Sequence, residues 1–117
     1  MTRLALAAAF LLPSAAIAED WHGIWSADPA WCVNAERIGS VTPAPIALNA
    51  QEMLGYENSC DITEAQELPG LNAWVLTLSC QSEGDTYEEK QLVMADGDVL
   101  WMWVGGDDPI RFARCPA

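Results

Sequence analysis

Positive charge is scarce in this 117-residue chain. Five Lys and Arg stand against seventeen Asp and Glu, for a formal net charge of −12. Such a surface repels phosphate backbones and anionic lipid, so nucleic acid and a membrane surface are poor partners for the folded part. Histidine is scarcer still: the single His22 leaves no spare imidazole for most His-based catalytic dyads. A G-x-S-x-G elbow and a Gly-rich phosphate loop are missing as well. No C-x-x-C pair occurs, which removes the usual zinc and redox signatures. Asp96-Gly97-Asp98 lacks the further ligands of an EF-hand loop. Glu88-Glu89, Asp96/Asp98 and Asp107-Asp108 sit on strand surfaces or in turns, where carboxylates are expected without any catalytic duty. The expectation is a protein that is not an enzyme, with no metal and no cofactor.

A long hydrophobic run is also absent. The apolar stretch from Leu4 to Leu12 is about half the ~20 residues a bilayer span needs. Preceded by Arg3 and followed by Ala16-Ile17-Ala18, it reads as a secretory signal over residues 1–18 with an A-x-A cleavage site. None of Asn34, Asn49, Asn58 and Asn72 opens an N-x-[ST] sequon, which favours a bacterial periplasmic or secreted setting. Cutting after Ala18 leaves residues 19–117, 99 residues in a single domain. The loss of Arg3 takes the formal charge from −12 to −13. A domain of this size buries only about two-thirds of its unfolded surface. Its four cysteines, Cys32, Cys60, Cys80 and Cys115, fit a domain stapled by two disulfides in an oxidising compartment.

Alternation identifies the strands. From Ala73 to Gln81, Trp74, Leu76, Leu78 and Cys80 share one face. Across Met53 to Ile62, Leu54, Tyr56, Cys60 and Ile62 share one parity, and Pro69-Gly70 separates the two runs as a hairpin turn. Of the three pairings open to four cysteines, that hairpin favours Cys60 with Cys80 on the inward face. Cys32 with Cys115 then remains, clasping the chain end to the loop after the first strand. Thr86–Met94 and Val99–Val104 flank Asp96-Gly97, read as a type I′ turn. A last short strand covers Ile110 to Arg114, and early strands fall around Trp21–Ser26 and Ile46–Asn49. No stretch shows helical spacing. The expected fold is all-β, an antiparallel meander of about seven strands closed into a barrel, which removes exposed edges.

Tryptophan is the unusual residue: six against two Phe and two Tyr. Trp25 and Trp74 are expected in the core. Trp101 and Trp103 share one face of Val99–Val104, whose other face, Leu100, Met102 and Val104, is equally apolar. One row must therefore lie outside as a contact stripe. Trp101, Met102 and Trp103, with Asp107 and Asp108 of the following loop, are the candidate partner-binding residues.

Gly23-Ile24-Trp25, together with Arg111 or Arg114 near the chain end, resembles the G-x-W opening of lipocalin-type barrels, where the Trp packs against an arginine of the final strand. In size, export and cysteine use the chain is similar to small periplasmic barrels that inhibit secreted hydrolases: bacterial metalloprotease inhibitors, which also open G-x-W near a cysteine, and lysozyme inhibitors. The spacing G-x-W-x3-P-x2-C, at Gly23, Trp25, Pro29 and Cys32, resembles that of small exported bacterial proteins of unassigned function. These resemblances imply the fold more than the function; the acidic charge and the uncovered apolar strand add the expectation of a monomeric, exported protein-binding module, a hydrolase inhibitor meeting a cationic protein. The alternative is a barrel that binds a small ligand or carbohydrate.

Overall fold

The computed structural model describes residues 18–116, so the export signal expected over residues 1–18 lies, but for Ala18, outside the described residues. Eight strands follow in chain order, each antiparallel to the next: β1 (Gly23–Ser26), β2 (Ile46–Leu48), β3 (Glu52–Gly55), β4 (Asn58–Leu68), β5 (Ala73–Ser82), β6 (Asp85–Asp96), β7 (Val99–Val104) and β8 (Ile110–Arg114). β8 pairs back onto β1, closing the barrel. Every strand then has two neighbours and no edge is left unpaired.

The eighth strand arises inside the run read as one strand from Met53 to Ile62. The chain reverses at Tyr56-Glu57, with Gly55 opposite Asn58 and Met53 opposite Cys60. The positive φ of this turn, 49°, falls on Glu57, so neither of its two central residues is a Gly or Pro that would mark it. The inward residue of β3 is consequently Met53, which is buried, while Tyr56 is exposed at the turn.

β4 and β5 form the expected hairpin about Pro69-Gly70, and Cys60 faces Cys80 across it. The disulfides are Cys60–Cys80 and Cys32–Cys115. Thr63 is the extra residue of a bulge between Ile62 and Glu64. A bulge shifts parity by one, so Cys60 and Ile62 before it and Ala65 after it fall opposite Cys80, Leu78 and Leu76, the inward row of β5. That row is buried along with Trp74, as its alternation indicated.

The β6–β7 turn lies one residue later than expected. Asp96 pairs with Val99, making Gly97 and Asp98 the central pair, and of the two only Gly97 has positive φ, 58°. This is the II′ pattern with glycine first rather than the I′ pattern. The I′ pattern occurs instead at Glu83-Gly84, where both φ values are positive, 50° and 84°. No atom stands within 4 Å of where a Cβ on Gly97 would lie. Gly97→Val should therefore lower stability through backbone strain alone, by about 1–2 kcal/mol. A denaturant titration checks this; an unchanged midpoint would show that the turn bears no such constraint.

The region after β1, expected as a loop, contains a 3-10 segment at Pro29–Arg37, kinked at Asn34. Asp28 caps it by accepting a hydrogen bond from the Ala30 N–H at 3.0 Å, and Pro29 suits a first helical position. Among the described residues no helix is long and apolar enough to cross a membrane.

The barrel interior is occupied rather than hollow. Trp25, Leu76, Leu78, Val93 and Leu100 are fully buried, with Leu48, Trp74, Met102 and Phe112 packed around them. Trp21, ahead of β1, is buried as well and lies 6.3 Å from Trp74, ring centre to ring centre.

Candidate functional site

β7 reads Val-Leu-Trp-Met-Trp-Val, apolar on both faces, and its pairing decides which face is inside. Asp96 opposite Val99 sets the register, and Leu100 pairs with Phe112 of β8. Leu100 and Met102 therefore enter the core. Met102, grouped by sequence with the contact residues, is only 4% exposed and faces away from any partner. Trp101 and Trp103 lie on the outer wall, half-buried.

Neighbouring strands extend that outer row. Trp103 stands opposite Leu92, which stands opposite Val75. Trp101 stands opposite Met94 on one side and Arg111 on the other. Leu92, Met94 and Val75 are each half-buried, so the wall of β5, β6 and β7 presents a continuous apolar surface around two indole rings. A shallow hollow of about 410 Å³ opens on it, lined by Val75, Lys90, Gln91, Leu92, Trp103 and Gly105. Lys90 and Arg111 border this surface and are exposed. The described residues contain one salt bridge, Arg114 to Asp98, so both bordering cations stand free of one.

Asp107 and Asp108 lie in the β7–β8 loop and are exposed. Gly105, where that loop begins, joins Trp103 in lining the hollow. The candidate set thus divides into wall residues (Trp101 and Trp103), loop residues (Asp107 and Asp108) and a core residue (Met102). Leu92, Met94 and Lys90 were not singled out from sequence, and Arg111 was considered there only as a partner for Trp25. The signal was present: from Gln91 to Ala95 β6 is largely apolar on both parities, as β7 is.

The carboxylate pairs do not assemble. Strand alternation sends Glu88 outward, while Glu89 turns in, its Oε2 3.9 Å from Cys80 Sγ. Cys60, Cys80 and Glu89 cluster closely enough to suggest a metal site, but both sulfurs are committed to the disulfide.

At the barrel seam, Arg114 lies over the Trp25 ring, 4.1 Å from its centroid, which settles the choice between Arg111 and Arg114. The guanidinium donates to His22 O at 2.8 Å and Asp20 O at 2.9 Å. Trp25 Nε1–H donates to Trp21 O at 2.9 Å. Gly23 is required here: a Cβ on it would stand 2.5 Å from Arg114 Nη1, and its φ is +140°.

No protein-family model matches the chain, and no curated protein or solved structure matches it.

Proposed function

We propose that the chain is an exported protein-binding module that inhibits a secreted or periplasmic hydrolase, docking it on the outer wall around Trp101 and Trp103. The observation that carries this reading is a row of apolar side chains left on the outside of a barrel whose interior is already filled. Aromatic residues of this kind supply most of the energy where they become fully desolvated. Two disulfides without a free cysteine among the described residues suit an oxidising compartment. A formal charge of −13 after processing would steer a cationic protein toward the module, with Asp107 and Asp108 at the rim, while the wall supplies the anchor.

Affinity capture from the native extracytoplasmic fraction, followed by kinetics on the captured partner, tests this. Trp103→Ala and Trp101→Ala should each raise the off-rate and cost about 2 kcal/mol or more. Raising salt should slow association, because exposed charges are screened beyond about 8 Å at physiological ionic strength. A partner held equally well by both alanine variants would overturn the wall as the contact surface. A partner whose on-rate ignores salt would remove the cationic-target reading.

Two indoles at i and i+2 on one open face also suit the faces of a sugar ring, which keeps carbohydrate binding as the second reading. A saccharide-dependent quench of Trp fluorescence that is lost in Trp103→Ala would favour it.

A further inference from the structure

Just ahead of β1 the chain makes one tight turn. His22 N–H donates to Glu19 O at 2.9 Å, and the Glu19 backbone nitrogen lies 3.1 Å from His22 Nδ1. The other imidazole nitrogen, Nε2, is buried without a hydrogen-bond partner, so Nδ1 is the atom turned toward Glu19. The turn is held from the barrel side: Arg114 grips the Asp20 and His22 carbonyls, Trp25 grips that of Trp21, and the Trp21 ring meets the imidazole edge-on at 4.2 Å.

As long as a residue precedes it, the Glu19 nitrogen is an amide with no lone pair to offer. Cleavage after Ala18 turns the same atom into a primary amine. The inference rests on the export reading in that respect. We propose that the processed amino terminus is a Cu(II) site, with the Glu19 α-nitrogen, the Glu19 carboxylate and His22 Nδ1 as ligands.

The geometry suits a chelate. Two nitrogens at right angles about an ion, each about 2.0–2.1 Å away, stand about 2.9 Å apart, close to the separation already present in the turn. Burial keeps the His22 pKa below its ordinary value, opposed by the Glu19 carboxylate beside it. The ring is therefore neutral near pH 7, with its Nδ1 lone pair free. Binding displaces one proton from the α-ammonium group, while the imidazole keeps its proton on Nε2. An amine, an imidazole and a carboxylate form a set that Cu(II) binds ahead of Ni(II) and Zn(II).

The full chain is exported by a bacterium, recovered, and its amino-terminal residue sequenced. Cu(II) alone is then titrated in, with Trp fluorescence and electron paramagnetic resonance as readouts. The expected result is one equivalent bound, quenching through Trp21 and a spectrum with two-nitrogen coupling. His22→Gln should weaken binding at least tenfold. A protein retaining Ala18 should weaken it equally with no change in thermal midpoint, since no folded side chain is altered. A chain that begins at Glu19 and binds Cu(II) no more tightly than His22→Gln overturns the metal site and leaves the export reading standing. A chain that begins elsewhere overturns the cleavage boundary, and the site with it.

Discussion

Trp25→Ala should destabilise the barrel by about 3–5 kcal/mol, the range for deleting a fully buried large aromatic. Trp25 is 0% exposed and ties the first strand of the barrel to the last. Its indole lies under the guanidinium of Arg114, and its Nε1–H holds the Trp21 carbonyl. Removing the ring leaves a cavity, takes the platform from Arg114 and frees one carbonyl near the core. For a domain of about 100 residues this corresponds to a thermal midpoint lower by roughly 12 °C or more. Trp25→Phe should cost less, because most of the volume is kept and only the hydrogen bond and part of the cation–π contact are lost. Thermal melts of both variants check the order. Equal, small shifts would mean that the seam does not depend on this side chain.

The alternating run from Trp74 to Cys80 was legible because β5 is a long strand with one buried face, the condition under which sequence parity reports burial. Both disulfides followed from that parity and from the even cysteine count. The Met53–Ile62 run misled for a physical reason. Glu57 makes a turn with positive φ without the help of glycine, and the residues on either side keep a deceptively regular alternation across the reversal. The Thr63 bulge was equally invisible, since an extra residue in one strand has no mark of its own when the residues that follow it, Glu64, Gln66 and Glu67 among them, are mostly polar. For β7 the sequence contained two equivalent apolar faces, and what decides between them is the partner strand: Leu100 and Met102 pair with Ala95 and Val93 of the buried row of β6, so Met102 is inside and the two indoles are outside. The apolar outer wall was therefore half legible: its tryptophans from composition, its Leu92 and Met94 only once β6 was laid beside β7.

Loss of the Cys32–Cys115 bond should open the barrel at one place before the rest. β1 is only four residues long, and it meets β8 at two paired positions, Trp25 with Arg114 and Ser26 with Ala113. One further backbone bond, from Cys115 N–H to Ile24 O at 2.8 Å, extends that short ladder. By contrast, β4 and β5 pair along ten positions, as do β5 and β6. The disulfide spans a sequence separation of 83 residues, against 20 for Cys60–Cys80. On the chain-entropy model a loop of this length contributes more than 4 kcal/mol, and the measured range for native disulfides of small secreted domains is about 2–5 kcal/mol. The double variant Cys32→Ala/Cys115→Ala should lose stability within that range. The β2–β3 ladder is equally short, at two paired positions, but its strands are joined by a tight turn, whereas β1 and β8 lie far apart in sequence; once the disulfide is gone, the seam amides should therefore lose protection first. Hydrogen exchange should therefore quicken at Ile24, Trp25 and Ser26 well before it does in β5. Uniform quickening across all strands would show instead that the barrel opens as one unit, with the seam no weaker than its walls.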